Sequence, residues 1–120
     1  VIRVLVVDDH EMIRISVSEA LGAAGDIEVV GCCVDGQEAL GAAALSHPDV
    51  VLMDLSMPRM GGVEATRRLL ADEPTIRVVI FTSAVRGHVV KDAFAAGAVS
   101  CVFKNADCAE VIQAVRAAVA

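Results

Sequence analysis

A single α/β domain, with five parallel strands in one doubly wound sheet and helices on both of its faces, is the architecture this sequence predicts. Three observations predict it. Short apolar runs alternate five times with stretches of helical periodicity, the signature of consecutive βα units. Runs such as Val4 to Val7 and Val50 to Met53 are apolar without alternation, so both faces of those strands must be covered. The chain has 120 residues, enough to bury one core and too few for two, and 1–120 is therefore read as one domain.

The first strand is read at 2–7 (IRVLVV) and ends at Asp8-Asp9. Ile13, Val17, Leu21 and Ala24 then mark one apolar stripe at helical spacing, which Gly25 closes. The second strand is 27–33. Gly31 and Gly36 are taken as boundary punctuation, and Asp35 with Glu38 has the spacing of a capping box that starts a helix over 36–46. The third strand, 49–54, ends on Asp54, and Gly62 opens a helix over 62–72. The fourth strand, 76–82, closes on Thr82, and Val89, Val90, Ala93 and Phe94 supply the stripe of the fourth helix. Gly97 breaks that helix. A short strand over 99–103 leads to Lys104, and a second capping box, Asp107 with Glu110, starts the last helix over 107–119. No internal repeat, linker or low-complexity segment interrupts the pattern.

Composition excludes several functions. The apolar fraction is 56%, yet no stretch approaches the roughly 18–20 uninterrupted apolar residues of a membrane span. The N-terminus lacks the basic, apolar and small-residue pattern of an export signal, so the expected location is the cytoplasm. Ten basic against 16 acidic residues give a net charge of -6, which argues against direct binding to nucleic acid or anionic lipid. Cys32, Cys33, Cys101 and Cys108 show neither CxxC spacing nor a Cys/His cluster and are read as small hydrophobes. His10, His47 and His88 are scattered and are read as helix-terminal or surface residues. Met53, Met57 and Met60 are read as packing around one loop.

Right-handed crossovers place every strand C-terminus on one edge of such a sheet, where ligands bind at the point of strand reversal. In the order 2-1-3-4-5, taken over from flavodoxin-like folds, that point lies between the first and third strands. Asp8, Asp9, Asp54, Thr82 and Lys104 then meet there. Each alone has an ordinary explanation: a helix N-cap, a loop carboxylate, a β-branched strand residue, a solvated end. Their convergence does not. Two carboxylates about 4 Å apart repel by ~4 kcal/mol at an effective dielectric of 20, so three together call for a cation. Hard oxygen ligands favour Mg²⁺, with Mn²⁺ as an alternative. With a metal in place, one aspartate can act as a nucleophile toward phosphorus, Lys104 can neutralise charge and Thr82 can donate to a phosphoryl oxygen.

The segments VLVVDDHEMIR, VDGQEAL, HPDVVLMDLSMPRMGGVEATR, VVIFTS and AFAAGAVSCVFKN, which together span nearly the whole chain, resemble the receiver domains of bacterial two-component response regulators. The DDH and MDLSMPRMGG wording is most similar to the NarL/LuxR-type subfamily, whose members usually carry a C-terminal helix-turn-helix domain; such an output domain would lie beyond Ala120. The resemblance implies the CheY-like (βα)5 fold. It implies that Asp54 accepts a phosphoryl group from a sensor histidine kinase, that Asp9, Asp54 and the Ser56 carbonyl bind Mg²⁺, and that Asp8 acts on the metal through water. It further implies that Lys104 contacts the phosphoryl group, and that Thr82 shifts toward it and biases the face of the fourth helix, fifth strand and fifth helix. Ser56 and Ala84 occupy positions that tune acyl-phosphate lifetime in this family. Homodimerisation on activation is implied as well, although Val111, Ile112, Val115 and Val119 serve equally as core contacts of the last helix.

One departure stands out. The family commonly has Tyr or Phe three residues before the lysine, and this chain has Cys101, preceded by Ser100 instead of glycine. Phe103 shares the strand parity of Cys101, and core packing is its expected role ahead of substitution for the missing aromatic. Three alternatives are weighed against a self-phosphorylating signalling switch that turns over no external substrate. A degenerate receiver would act as an interaction module. A haloacid-dehalogenase-type phosphohydrolase wants a second aspartate where Ser56 stands, and a flavodoxin-like FMN protein wants a phosphate-cradling loop where Asp8-Asp9 would repel the ligand.

Overall fold

The structure, a computed structural model, describes residues 1–83 and 87–120. Five strands and five helices alternate along the chain: β1 Ile2–Val7, α1 Glu11–Ala23, β2 Ile27–Cys33, α2 Gly36–Ser46, β3 Val50–Met53, α3 Gly62–Asp72, β4 Arg77–Thr82, α4 Gly87–Ala95, β5 Ser100–Phe103 and α5 Cys108–Ala118. All strand pairs are parallel, in the order β2-β1-β3-β4-β5. The expected fold and strand order are both present.

Strand parity divides the core into two layers. Leu5, Val7, Val51, Met53, Val78 and Ile80 face one side and pack with Ala39 and Ala43 of α2, Ala65 and Leu69 of α3, and Ala93 of α4. Val4, Val6, Val50, Leu52, Val79, Phe81 and Val102 face the other and pack with Val17 and Leu21 of α1 and Val111 and Val115 of α5. Unbroken apolar runs are thus explained, because each strand residue meets a helix whichever way it points.

Four expectations need correction. Gly31 does not mark a boundary: it lies inside β2 at a register shift, opposite Leu5, while Val4 pairs with Val29. That is a bulge, and a Cβ at Gly31 would come within 3.1 Å of a Leu5 methyl, so the glycine permits close packing. Phe94, read as part of the buried stripe of α4, is 44% exposed; Ala93 is buried and Val89 and Val90 are half-buried. Phe103, expected in the core, is 46% exposed at the end of the edge strand β5. The strands expected at 49–54, 76–82 and 99–103 each begin one residue later, and β3 stops at Met53, where its pairing with Ile80 ends. Asp54 therefore stands just outside the ladder.

Capping explains two helix starts. Asp35 and Asp107 are the N-caps of α2 and α5, accepting from the backbone N–H of Glu38 at 2.9 Å and of Glu110 at 3.0 Å. The reciprocal carboxylate of Glu38 reaches the N–H of Val34 at 3.1 Å, one residue earlier than in the usual box. Val111 and Val115 are buried in the core, Ile112 is half-buried against it, and Val119 is exposed. The cysteines are all free, with Cys33 buried, Cys101 half-buried, and Cys32 and Cys108 exposed. Met53 and Met60 are buried and Met57 packs against the same layer, as expected. Among the described residues no helix is long and apolar enough to cross a membrane.

Candidate functional site

The C-terminal edge of the sheet holds the expected group. Each of its carboxylates and its ammonium leaves the end of a strand that the neighbouring strand has just fixed. The backbone N–H of Asp8 donates to the Cys33 carbonyl at 3.0 Å, that of Asp54 to the Val7 carbonyl at 2.9 Å, and that of Lys104 to the Thr82 carbonyl at 2.9 Å. The ladder thus continues one residue past each strand and carries these side chains to a common level. Asp8 and Asp54 are buried, at 0% and 2% exposure, and Thr82 is buried beside them at the end of β4. Asp9 lies at the solvent side.

Lys104 spans the two buried carboxylates. Its Nζ lies 2.6 Å from Asp8 Oδ2 and 3.4 Å from Asp54 Oδ2, with the side chain 10% exposed. The ammonium is thus ion-paired with both buried oxygens at once. Burial pushes the Asp54 carboxyl above its ordinary range; Lys104 pulls it back and the neighbouring Asp8 adds to the rise. One lysine facing two buried carboxylates leaves the group short of positive charge. Ligand atoms of Asp8, Asp9, His10 and Asp54 all lie within 4.8 Å of one another. Hard oxygen donors from three carboxylates that share a single ammonium fit a divalent cation of the Mg²⁺ or Mn²⁺ class.

The loop after Asp54 is held by close backbone contacts. Gly62 donates its N–H to the Leu55 carbonyl at 3.1 Å, and a Cβ there would lie 2.2 Å from the Asp54 carbonyl oxygen. Glycine is therefore required by the approach of α3 to the loop, beyond the simple helix-start role expected of it. Ser56 is exposed, with its N–H 3.5 Å from Asp54 Oδ1. Beside Lys104 a cleft of about 340 Å³ opens, lined by Ser83, Phe103, Lys104 and Asn105. Ala84, which the resemblance pairs with Ser56, lies outside the described residues.

Comparison with known proteins places this arrangement. The response regulator receiver domain family matches residues 4–116. The chain belongs to the response-regulator receiver family. The receiver is 44% identical over 115 residues to the response regulator protein VraR of Staphylococcus aureus, covering 96% of this chain and 55% of that protein. The chain spans about half the length of the curated relatives it matches. Its fold superposes on a LuxR-family two-component response regulator from Aurantimonas sp. with a TM-score of 0.91 at 36% identity, over 96% of this chain and 82% of that one. It also superposes on the receiver domain of a putative NarL response regulator from Mycobacterium tuberculosis, with a TM-score of 0.92 at 33% identity, over 97% and 94% of the two chains. The NarL/LuxR-type likeness expected from the DDH and MDLSMPRMGG segments agrees with these relatives.

One residue beside these carboxylates is not foreseen there from the sequence. His10 was expected to be only a helix-terminal residue; it is indeed the N-cap of α1, but its Nδ1 lies 3.1 Å from both Asp8 Oδ1 and Asp9 Oδ1. The signal available was adjacency to Asp8-Asp9. His47 at the end of α2 and His88 in α4 are exposed and lie outside the acidic group.

Proposed function

We propose that this receiver accepts a phosphoryl group on Asp54 from the phosphohistidine of a sensor histidine kinase, and that the modified form controls an output, transcription in a full-length protein with a C-terminal helix-turn-helix domain. The observation that carries this reading is the crowding of Asp54, Asp8 and Lys104 at one strand edge, where a single ammonium faces two buried carboxylates. An Asp54 oxygen attacks phosphorus, a P–O bond forms as the P–N bond of the donor breaks, and the imidazole leaves with a proton. Lys104 neutralises charge on the transferring group, and Thr82 donates its hydroxyl to a phosphoryl oxygen. Asp9, Asp54 and the Ser56 carbonyl would hold Mg²⁺, with Asp8 acting through water; when bound, the ion screens the carboxylates from one another and the incoming phosphoryl charge.

The receiver acts on itself, catalysing its own phosphorylation and dephosphorylation in the cytoplasm without turning over a separate substrate. Exposed apolar side chains at Phe94, Val99, Phe103 and Val119, on or beside α4, β5 and α5, supply the surface for output contacts and for homodimerisation. The half-buried Cys101, in place of an aromatic switch residue, favours a second reading as a phosphorylation-independent interaction module. A small-molecule phosphodonor with Mg²⁺ decides between them. Mass spectrometry of the intact chain is expected to show one added phosphoryl group, absent in Asp54→Ala; an unchanged wild-type mass supports the interaction module.

A further inference from the structure

Arg14 is out of place by the rules that govern helix ends. Carboxylates stabilise the start of a helix and cations weaken it, so an arginine close behind Glu11 at the start of α1 calls for another reason. The structure supplies one. The half-buried side chain turns back past the start of the helix, and its Nη1 donates to the main-chain carbonyl of Asp8 at 2.8 Å. That carbonyl stands where the sheet runs out: the Asp8 N–H donates to Cys33, the last residue of β2, at 3.0 Å. Arg14 provides the donor that a further residue of β2 would have given.

The bond bears on the metal site through peptide geometry. The Asp8 carbonyl and the Asp9 N–H belong to one planar unit, so whatever fixes the carbonyl fixes the direction in which Asp9 leaves the strand. The Asp8 side chain is held independently, Oδ1 accepting the N–H of His10 at 2.9 Å and Oδ2 pairing with Lys104 at 2.6 Å. Asp9 has less to hold it. Its carboxylate lies at the solvent side, 3.1 Å from the exposed His10 ring, yet an Asp9 oxygen stays within 4.8 Å of an Asp54 oxygen. We infer that Arg14 is a positioning residue for the divalent ion: it holds the Asp8–Asp9 peptide in the orientation that keeps the Asp9 carboxylate beside Asp54. Arg14 acts through the main chain, as outer-shell partners of metal ligands do. The inference rests on the proposed function, in which Asp9 and Asp54 hold Mg²⁺.

The test titrates Mg²⁺ calorimetrically into the metal-free 120-residue chain as wild type, Arg14→Ala and Arg14→Lys. Affinity is expected to fall by on the order of tenfold in Arg14→Ala and by less in Arg14→Lys, whose ammonium can still donate to the carbonyl. The carbonyl ¹³C resonance of Asp8, read without metal, should shift in Arg14→Ala as the hydrogen bond is lost. Phosphorylation by a small-molecule donor should slow in Arg14→Ala at low Mg²⁺ and return close to the wild-type rate at saturating Mg²⁺, because the ligands themselves are intact. General loss of structure would lower the saturated rate as well. An Asp8 resonance that stays in place, or one that moves with Mg²⁺ affinity unchanged, overturns the inference and leaves the proposed function standing. An equal loss of affinity in both variants with a lowered saturated rate does the same. Mg²⁺ binding that Asp9→Ala and Asp54→Asn leave unaltered overturns both.

Discussion

At the scale of single residues, two helical glycines that look alike in sequence have opposite meanings. Gly62 begins α3 with no room for a side chain: a Cβ would meet the Asp54 carbonyl oxygen at 2.2 Å and Leu55 Cα at 2.9 Å, both backbone atoms that cannot step aside singly. Gly41 lies within α2 with nothing within 4 Å of the same position. Overpacking a close contact costs about 1–3 kcal/mol, while glycine in an open helix interior costs about 0.5–1 kcal/mol relative to alanine. Gly62→Ala is therefore expected to destabilise by about 3 kcal/mol and to slow phosphorylation by displacing Asp54, whereas Gly41→Ala should stabilise by roughly 0.8 kcal/mol with the rate unchanged. Urea unfolding with a phosphorylation time course checks both. Equal effects of the two substitutions would mean that the α3 approach does not position the acceptor.

At the scale of elements, the start of α2 and the loop that follows β3 are tied together from both ends. Asp35, the buried N-cap of α2, receives Arg59 Nε at 2.6 Å on Oδ2, and the Gly36 N–H donates to the Met60 carbonyl at 2.9 Å. Arg59 adopts φ 62, an unusual backbone conformation for a residue with a long side chain, and the ion pair helps to hold it. The Glu38 N–H holds the Asp35 carboxyl below its ordinary range, with Arg59 adding to the effect and burial opposing it. A depressed folded value contributes stability above the unfolded value of 3.8 that is lost as pH falls through the folded one. Arg59→Ala should therefore move the acid-unfolding midpoint, followed by circular dichroism, to higher pH. It should also weaken Mg²⁺ binding, because the loop carrying Ser56 loses its anchor. An acid midpoint that stays in place would mean the guanidinium does not act on Asp35.

What the sequence could and could not reveal follows from the range of the interactions involved. β1, β2, α2 and α3 appear at their expected limits because local patterns define them: unbroken apolar runs, the Asp35 cap and Gly62. Asp8, Asp9, Asp54, Thr82 and Lys104 were legible as a group because each closes an apolar run, and strand ends in a parallel sheet share one edge. The bulge at Gly31 was not, since it exists only in the pairing of β2 with β1. Phe94 and Phe103 were misplaced for a related reason: burial there depends on where the edge of the sheet falls, which no single segment encodes. His10 escaped notice because a helix-cap position says nothing about where the ring turns.

At the scale of the whole molecule, the sheet that stabilises the fold also forces like charges together, so stability and site are opposed. Burial raises the Asp54 carboxyl above its unfolded value of 3.8, with Asp8 contributing in the same direction. In the window above 3.8 the folded chain holds a proton that the unfolded chain has released, so stability falls as pH rises through it. The penalty grows as the pH rises through the raised folded value. Asp54→Asn should accordingly raise the melting temperature of the metal-free protein at pH 7 and remove that part of the pH dependence. Mg²⁺ should act in the reverse sense on the two proteins. An ion at about 100 times its dissociation constant contributes about 2.7 kcal/mol, which for a domain of this size is a rise on the order of 10 °C. Wild type should show that rise in a thermal scan and Asp54→Asn little of it, so the order of stability at pH 7 narrows or inverts when Mg²⁺ is added. A parallel shift in both proteins would mean that the ion binds away from Asp54, and that the crowded strand edge is not relieved by a metal.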